Sequence, residues 1–297
     1  MSQSNHPPAI LIVGSDSLIG ATLTGHLRSL GKKVVGTTRR REMLNDSTLY
    51  LDLLEDPDKW ECPYNISSAV ICAGITELST CKAEPHSTSR TNVQGTVALA
   101  KNLLFKGSFV IFLSSNRVFD GTVPGCLPDK PVSPNTEYGR QKAETERQLL
   151  GLDGKVSIVR LTKIIENNSS LFMKWIKSLK HNKTIHPFSD MTIAPIPLAF
   201  TVDLLCHIAE KELPGIVQLS AKNDVTYEEV ARHIARRIGA SQELVKPISV
   251  RDADIEIENV QAFTSLDTSR ITKEFGVEPP DVFTTIDEFS NKTLSFC

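Results

Sequence analysis

Residues 9–20 read A-I-L-I-V-G-S-D-S-L-I-G: an apolar run, a glycine loop and the opening of a helical pattern. The run 9–14 ends in Gly14 and has no polar alternation, the signature of a strand buried on both faces. Apolar positions at 18, 19, 23, 27 and 30 follow at helical spacing and stop at Gly31. Strand, tight glycine turn and helix, in that order, open a dinucleotide-binding unit, in which the helix N-terminus faces the pyrophosphate. The loop spacing is G-x-x-S-x-x-G, so Ser17 stands where a glycine is expected and its hydroxyl is a candidate donor to a phosphate. Gly14, Ser17, Leu18, Ile19 and Gly20 are the first candidate cofactor contacts.

The alternation continues along the first half of the chain. Apolar strands are predicted at 33–38, 68–74, 109–115 and 156–161, with helices at 88–107 and 136–150. Continuous apolar strands separated by helices imply a parallel sheet covered on both faces, with ligands at the carboxyl ends of the strands. Gly14, Ala73–Gly74 and Ser114–Ser115 all fall at such ends and should line one crevice. After about residue 165 the texture changes to an amphipathic helix at 169–183 and a proline-rich stretch leading into a helix at 201–211. A strand at 215–220, a helix at 226–239 and a loop-rich tail with a short helix at 268–275 follow. The reading is α/β: a Rossmann-type doubly wound parallel sheet over 1–165, and a smaller C-terminal substrate-binding cap over 166–297, with 200–222 returning to the sheet.

Composition excludes several classes. The 297 residues carry a formal net charge of −2, with no basic excess to neutralise a nucleic-acid backbone. Arg39–Arg41 is the tightest basic run. Six cysteines form no C-x-x-C pair and seven histidines show no ligand spacing, so no metal site is expected. Cys72, inside an apolar run, reads as a small buried hydrophobe. The first eight residues lack a basic and an apolar segment, and no run approaches the length of a membrane span. A reduced, cytoplasmic compartment is expected.

The second strand runs into T-T-R-R-R, residues 37–41. A carboxylate there would hold the ribose hydroxyls of NAD; Thr38, Arg39 and Arg40 instead suit the 2′-phosphate of NADP. NADPH is therefore the expected cofactor, with NADH the alternative. Asp52 ends the next short strand and, with Leu53, is placed to face the adenine. Tyr138 and Lys142 lie one turn apart on a helix that follows a strand ending in Ser115. Hydride transfer to a ketone develops negative charge on its oxygen, which a phenol can protonate, a nearby ammonium favouring the phenolate. Ser115 can hold the same oxygen. Gly139 costs that helix about 1 kcal/mol, which room for a nicotinamide would explain.

With these residues in view, the chain resembles the extended short-chain dehydrogenase/reductases, and within them the dTDP-4-dehydrorhamnose reductase family. S-S-N-R-V-F-D-G (114–121) is similar to that family's Ser-Thr-Asp-Tyr-Val-Phe-Asp-Gly, and Y-G-R-Q-K-A-E-T-E (138–146) to its Tyr-x-x-x-Lys helix. R-T-N-V-Q-G-T-V-A-L-A-K (90–101) is similar to its Asn-Val helix, and later stretches at 159–163, 194–205, 215–231 and 266–281 fall in the same order. The resemblance implies NADP(H), a nucleotide-sugar ligand, a cap domain to hold it, a part in polysaccharide biosynthesis, and a role for Asn92 in supporting the active-site strand beside the cofactor.

Three departures bear on the substrate. Asn116 and Arg117 replace the family's Asp and Tyr, and Lys163 replaces an aromatic, usually Trp. The expectation is an NADP(H)-dependent reductase of a keto group on a nucleotide sugar other than dTDP-4-dehydrorhamnose. Tyr138 is its proton donor, Ser115 and Lys142 assist, and Arg117 and Lys163 pair with an anionic group on the substrate. A nucleotide-sugar epimerase of the same superfamily, and a non-catalytic NADP-binding regulatory subunit like that of methionine adenosyltransferase, stand as alternatives. A 4,6-dehydratase would want an acidic pair beside Ser115, which Asn116 and Arg117 do not supply. The oligomer stays open, a homodimer among the choices.

Overall fold

The computed structural model describes residues 8–152, 154–166, 170–253 and 260–294. Cys297 and most of the N-terminal stretch judged for a leader lie outside the described residues. The elements run β1 (Ala9–Val13), α1 (Leu18–Ser29), β2 (Val34–Thr38), β3 (Thr48–Tyr50), β4 (Ile66–Ile71), α2 (Leu78–Ala83) and α3 (Pro85–Ser89), then a π-helical segment (Arg90–Gly95). Next come α4 (Thr96–Phe105), β5 (Phe109–Ser115), α5 (Glu137–Leu150), β6 (Val156–Leu161), β7 (Ile164–Ile165), α6 (Ser170–Lys180), β8 (Thr192–Ile193) and β9 (Ile196–Pro197). The chain closes with α7 (Leu198–Lys211), β10 (Gly215–Leu219), β11 (Val225–Thr226), α8 (Tyr227–Arg237), α9 (Ser269–Phe275) and α10 (Val282–Leu294).

A seven-stranded sheet has the order β10-β6-β5-β4-β1-β2-β3. The pairings of β1 with β2 and β4, of β2 with β3, and of β4 with β5 are parallel. Every residue of β1 and β2 is buried, as expected of strands covered on both faces. Leu11, Val13, Val35, Ile71 and Phe112 of the strands meet Leu99 of α4 and Leu149 of α5 in one core cluster. The strand order reverses at β1, flanked by β2 and β4, so the ends of β1 and β4 form the switch point at which such sheets bind ligands.

The chain divides into two compact units. The first runs to Val118 and takes up Thr136–Arg160 and Val202–Val217; the second comprises Phe119–Asn135, Leu161–Thr201 and the chain from Gln218 onward. The border expected at 165 therefore lies earlier, and 119–135, read as part of the first domain, belongs to the second unit. That unit has an aromatic core of its own: Phe172 lies 5.5 Å from Trp175 and 5.9 Å from Phe289 between ring centroids, and Trp175 lies 6.2 Å from Tyr227.

Two elements differ from the sequence reading. The helix expected at 88–107 begins at Pro85 and passes through the π segment, whose Gly95 packs against the Leu53 carbonyl so closely that a Cβ would overlap it. The tail read as loop-rich contains α10. The Asp281 carboxylate caps it by accepting from the Thr284 N–H at 2.9 Å, and Val282, Ile286 and Phe289 are buried at helical spacing.

Candidate functional site

The glycine loop is built around backbone contact. Gly14 has φ +80°, and a Cβ there would meet Ala73 at 3.0 Å. A Cβ at Gly20 would overlap the Gly14 carbonyl oxygen. Ser17 is the N-cap of α1: its hydroxyl donates to the Gly14 carbonyl at 2.7 Å and accepts from the Gly20 N–H at 3.2 Å. Ser17 thereby shapes the turn that a glycine usually shapes, and it also lines the cleft.

A cleft of about 450 Å³ opens at the switch point, lined by Gly14, Asp16 and Ser17 from the loop and by Thr37–Arg40 from the end of β2. Leu51–Leu53 and Cys72–Ile75 complete its walls with Thr91. Leu18 and Ile19 lie in the first turn of α1 outside this lining, Leu18 being exposed. Asp52 sits two residues beyond the end of β3, its carboxylate accepting from the Leu54 N–H at 2.9 Å. Both arginines at the rim are paired, Arg39 with Asp52 at 4.0 Å and Arg40 with Asp16 at 3.3 Å. Asp16 escaped the sequence reading, because an aspartate in a glycine loop looks like an ordinary turn residue until its partner is known.

The π segment places Asn92 behind the loop after β4 and outside the cleft lining. Asn92 Oδ1 accepts from the Ile75 N–H at 2.7 Å, while Nδ2 donates to the Ile75 carbonyl at 2.9 Å and to Gln141 Oε1 at 2.8 Å. Asn92, read as a support for the active-site strand beside the cofactor, braces the loop after β4. A Cβ at Gly74 would stand 3.3 Å from Asn92 Oδ1 and 3.9 Å from Lys142 Nζ, so this glycine lets the cleft approach both.

The three residues expected to do chemistry come together. α5 is capped by Thr136, whose hydroxyl accepts from the Gly139 N–H at 3.1 Å, so Tyr138 falls in the first turn and Lys142 in the second. Ser115 stands near enough to Tyr138 for its hydroxyl to favour the phenolate. Ser115 Oγ donates to Asn116 Oδ1 at 3.3 Å and accepts from the Arg117 N–H at 3.2 Å. Lys142 Nζ donates to the Leu113 carbonyl at 2.8 Å and lies 4.5 Å from the Phe112 ring centroid and 5.7 Å from that of Tyr138. Burial drives the Lys142 ammonium down to about 8, against the pull of Glu146 and of Cys81 and Cys72. Burial raises the Tyr138 phenol, with Cys81 adding to the rise, while the Ser115 hydroxyl and the Arg117 charge oppose it. Arg117 therefore acts on Tyr138 as well as flanking Ser115, an effect its position in sequence did not suggest. Lys163 is exposed and belongs to the second unit, its carbonyl accepting from the Ile196 N–H at 2.9 Å.

A doubly wound sheet with this glycine loop and this Ser-Tyr-Lys set defines an NAD(P)-dependent oxidoreductase of the extended short-chain dehydrogenase/reductase class. The chain belongs to the RmlD substrate binding domain family, matched over residues 8–294. Among its relatives is a probable low-salt glycan biosynthesis reductase of Haloferax volcanii, 24% identical over 280 residues that cover 91% of this chain and 93% of that protein. The dTDP-4-dehydrorhamnose reductase of Aggregatibacter actinomycetemcomitans is 26% identical over 287 residues, 92% and 95% of the two chains. The crystal structure of dTDP-4-dehydrorhamnose reductase from Bacillus anthracis in complex with NADP superposes with a TM-score of 0.83 at 17% identity, over 97% of this chain and 100% of that one.

The residues present fit a dinucleotide. The loop carries no Cβ at Gly14 or Gly20, the first turn of α1 has no acidic residue, and two arginines stand at the far wall of the cleft. Among the described residues no helix is long and apolar enough to cross a membrane, and no group of ligating side chains is arranged to hold a metal.

Proposed function

We propose that this protein reduces a keto group on a nucleotide sugar with NADPH, and that its substrate is not dTDP-4-dehydrorhamnose. The observation carrying this reading is the buried Lys142, whose Nζ lies 5.7 Å from the Tyr138 ring centroid, is held by the Leu113 carbonyl two residues before Ser115, and reaches the cleft wall at Gly74. NADPH, when bound, supplies the hydride to the carbonyl carbon. Tyr138 supplies the proton to the carbonyl oxygen, and Ser115 orients that oxygen by hydrogen bonding. Lys142 and Arg117 favour the phenolate that remains. Arg39 and Arg40 hold the 2′-phosphate, which must draw them from Asp52 and Asp16. Arg117 and Lys163, standing where the family carries aromatics, read an anionic group on the substrate. Replacing either by a neutral residue raises KM for the true substrate and leaves NADPH affinity unchanged. The reductases among the relatives support the reaction class.

The test is titration of the purified protein with NADPH and with NADH, read by nicotinamide fluorescence, followed by turnover on keto-sugar nucleotides with and without a carboxylate. Tighter binding of NADPH, and turnover on an acidic sugar, is the expected outcome. Binding of neither nucleotide overturns the reading.

A further inference from the structure

One turn beyond Lys142 on α5, Glu146 is buried to 2% exposure. Its carboxylate accepts from the Ser114 hydroxyl, and from Arg160 of β6 through Nε at 3.1 Å and Nη2 at 2.7 Å. Arg160 is itself 2% exposed. Lys142 bonds the carbonyl of Leu113, the residue before Ser114. The helix carrying Tyr138 is therefore pinned to the end of β5 at two consecutive residues, immediately before Ser115. A buried ion pair is a poor means of stabilising a core, because apolar residues of similar volume often do as well. Its position invites another explanation. Lys142 is faced by Tyr138 and Glu146 from its own helix, by Cys72 after β4 and by Cys81 of α2. Burial pushes the Cys72 thiol up to about 12, so it stays neutral, and Glu146 is the carboxylate of this group.

We propose that Glu146, held by Arg160 and Ser114, is a positioning residue that keeps Lys142 charged and in register behind the Ser115–Tyr138 pair. Its catalytic meaning rests on the reductase reading above. Its effect on Lys142 does not.

The experiment uses the full chain, without cofactor or substrate, labelled with ¹³C at the lysine ε-carbons. The Lys142 signal is assigned by its loss in Lys142→Met and followed against pH. Glu146→Gln alone strands the Arg160 charge, so the informative variant is Glu146→Gln combined with Arg160→Met. A melting temperature within about 5 °C of wild type, together with a Lys142 midpoint lower by about one pH unit or more, is expected. An unchanged midpoint in the folded double variant reduces the pair to packing and overturns the proposal. Should the double variant not fold, Glu146→Asp decides: its withdrawn carboxylate must lower the midpoint, and no change overturns the proposal. NADPH titration of wild type, read separately, tests the reductase reading whatever the lysine signal does.

Discussion

Tyr138 is held in its protonated state by burial, which suits an acid that must give up its proton only when negative charge develops beside it. Tyr138→Phe should therefore lower turnover about a hundredfold or more, the usual worth of a positioned general acid, while the NADPH dissociation constant measured by fluorescence stays within about threefold. Lys142 sets a pH limit. Its charge is lost as pH rises through about 8, so steps that need the ammonium weaken above that value, and kcat/KM should fall on the alkaline side. Stability moves the other way. The unfolded chain keeps this proton up to the ordinary lysine value of 10.5, so between about 8 and 10.5 it binds more protons than the folded chain, and Lys142 contributes more stability as pH rises. Comparing urea midpoints of wild type and Lys142→Met across that window checks the sign.

The strands of the first unit were legible because their burial on both faces writes itself as unbroken apolar runs, and α5 was legible through its helical pattern and its Tyr-Lys spacing. What escaped depends on partners distant in sequence. The π segment carries Gly95 against the Leu53 carbonyl, a contact no local pattern encodes. The Asp16–Arg40 and Glu146–Arg160 pairs join residues from separate elements. α10 did carry its own signals, an Asp281 cap after two prolines and apolar residues at helical spacing, within a tail read as loop-rich. Two substitutions test element ends. Gly20→Ala would drive a Cβ into the Gly14 carbonyl, and thermal unfolding should show a loss of about 1–3 kcal/mol together with weakened NADPH binding. Thr136→Ala removes the α5 cap and should cost about 1 kcal/mol by denaturant titration, with turnover falling further than stability because Tyr138 sits in the uncapped turn.

For the whole molecule, ligand and fold are linked through the cleft, which lies entirely within the first unit. NADPH at a hundred times its dissociation constant should stabilise that unit by about 2.7 kcal/mol, and NADH at the same concentration by less; thermal unfolding followed with each nucleotide measures the difference. The way the chain is distributed has a practical result for anyone dissecting the protein. The two units interleave as three segments each, so the polypeptide passes from one to the other five times. The stretch between Ser115 and Tyr138 includes Phe119–Asn135, which belongs to the second unit. No gene truncation at either end yields a clean first unit, and none yields a clean second one. A deletion of 119–135 must be bridged by a synthetic linker before Ser115 and Tyr138 can share a polypeptide without the second unit. Exchanging the second unit for a foreign one has to respect all five crossings.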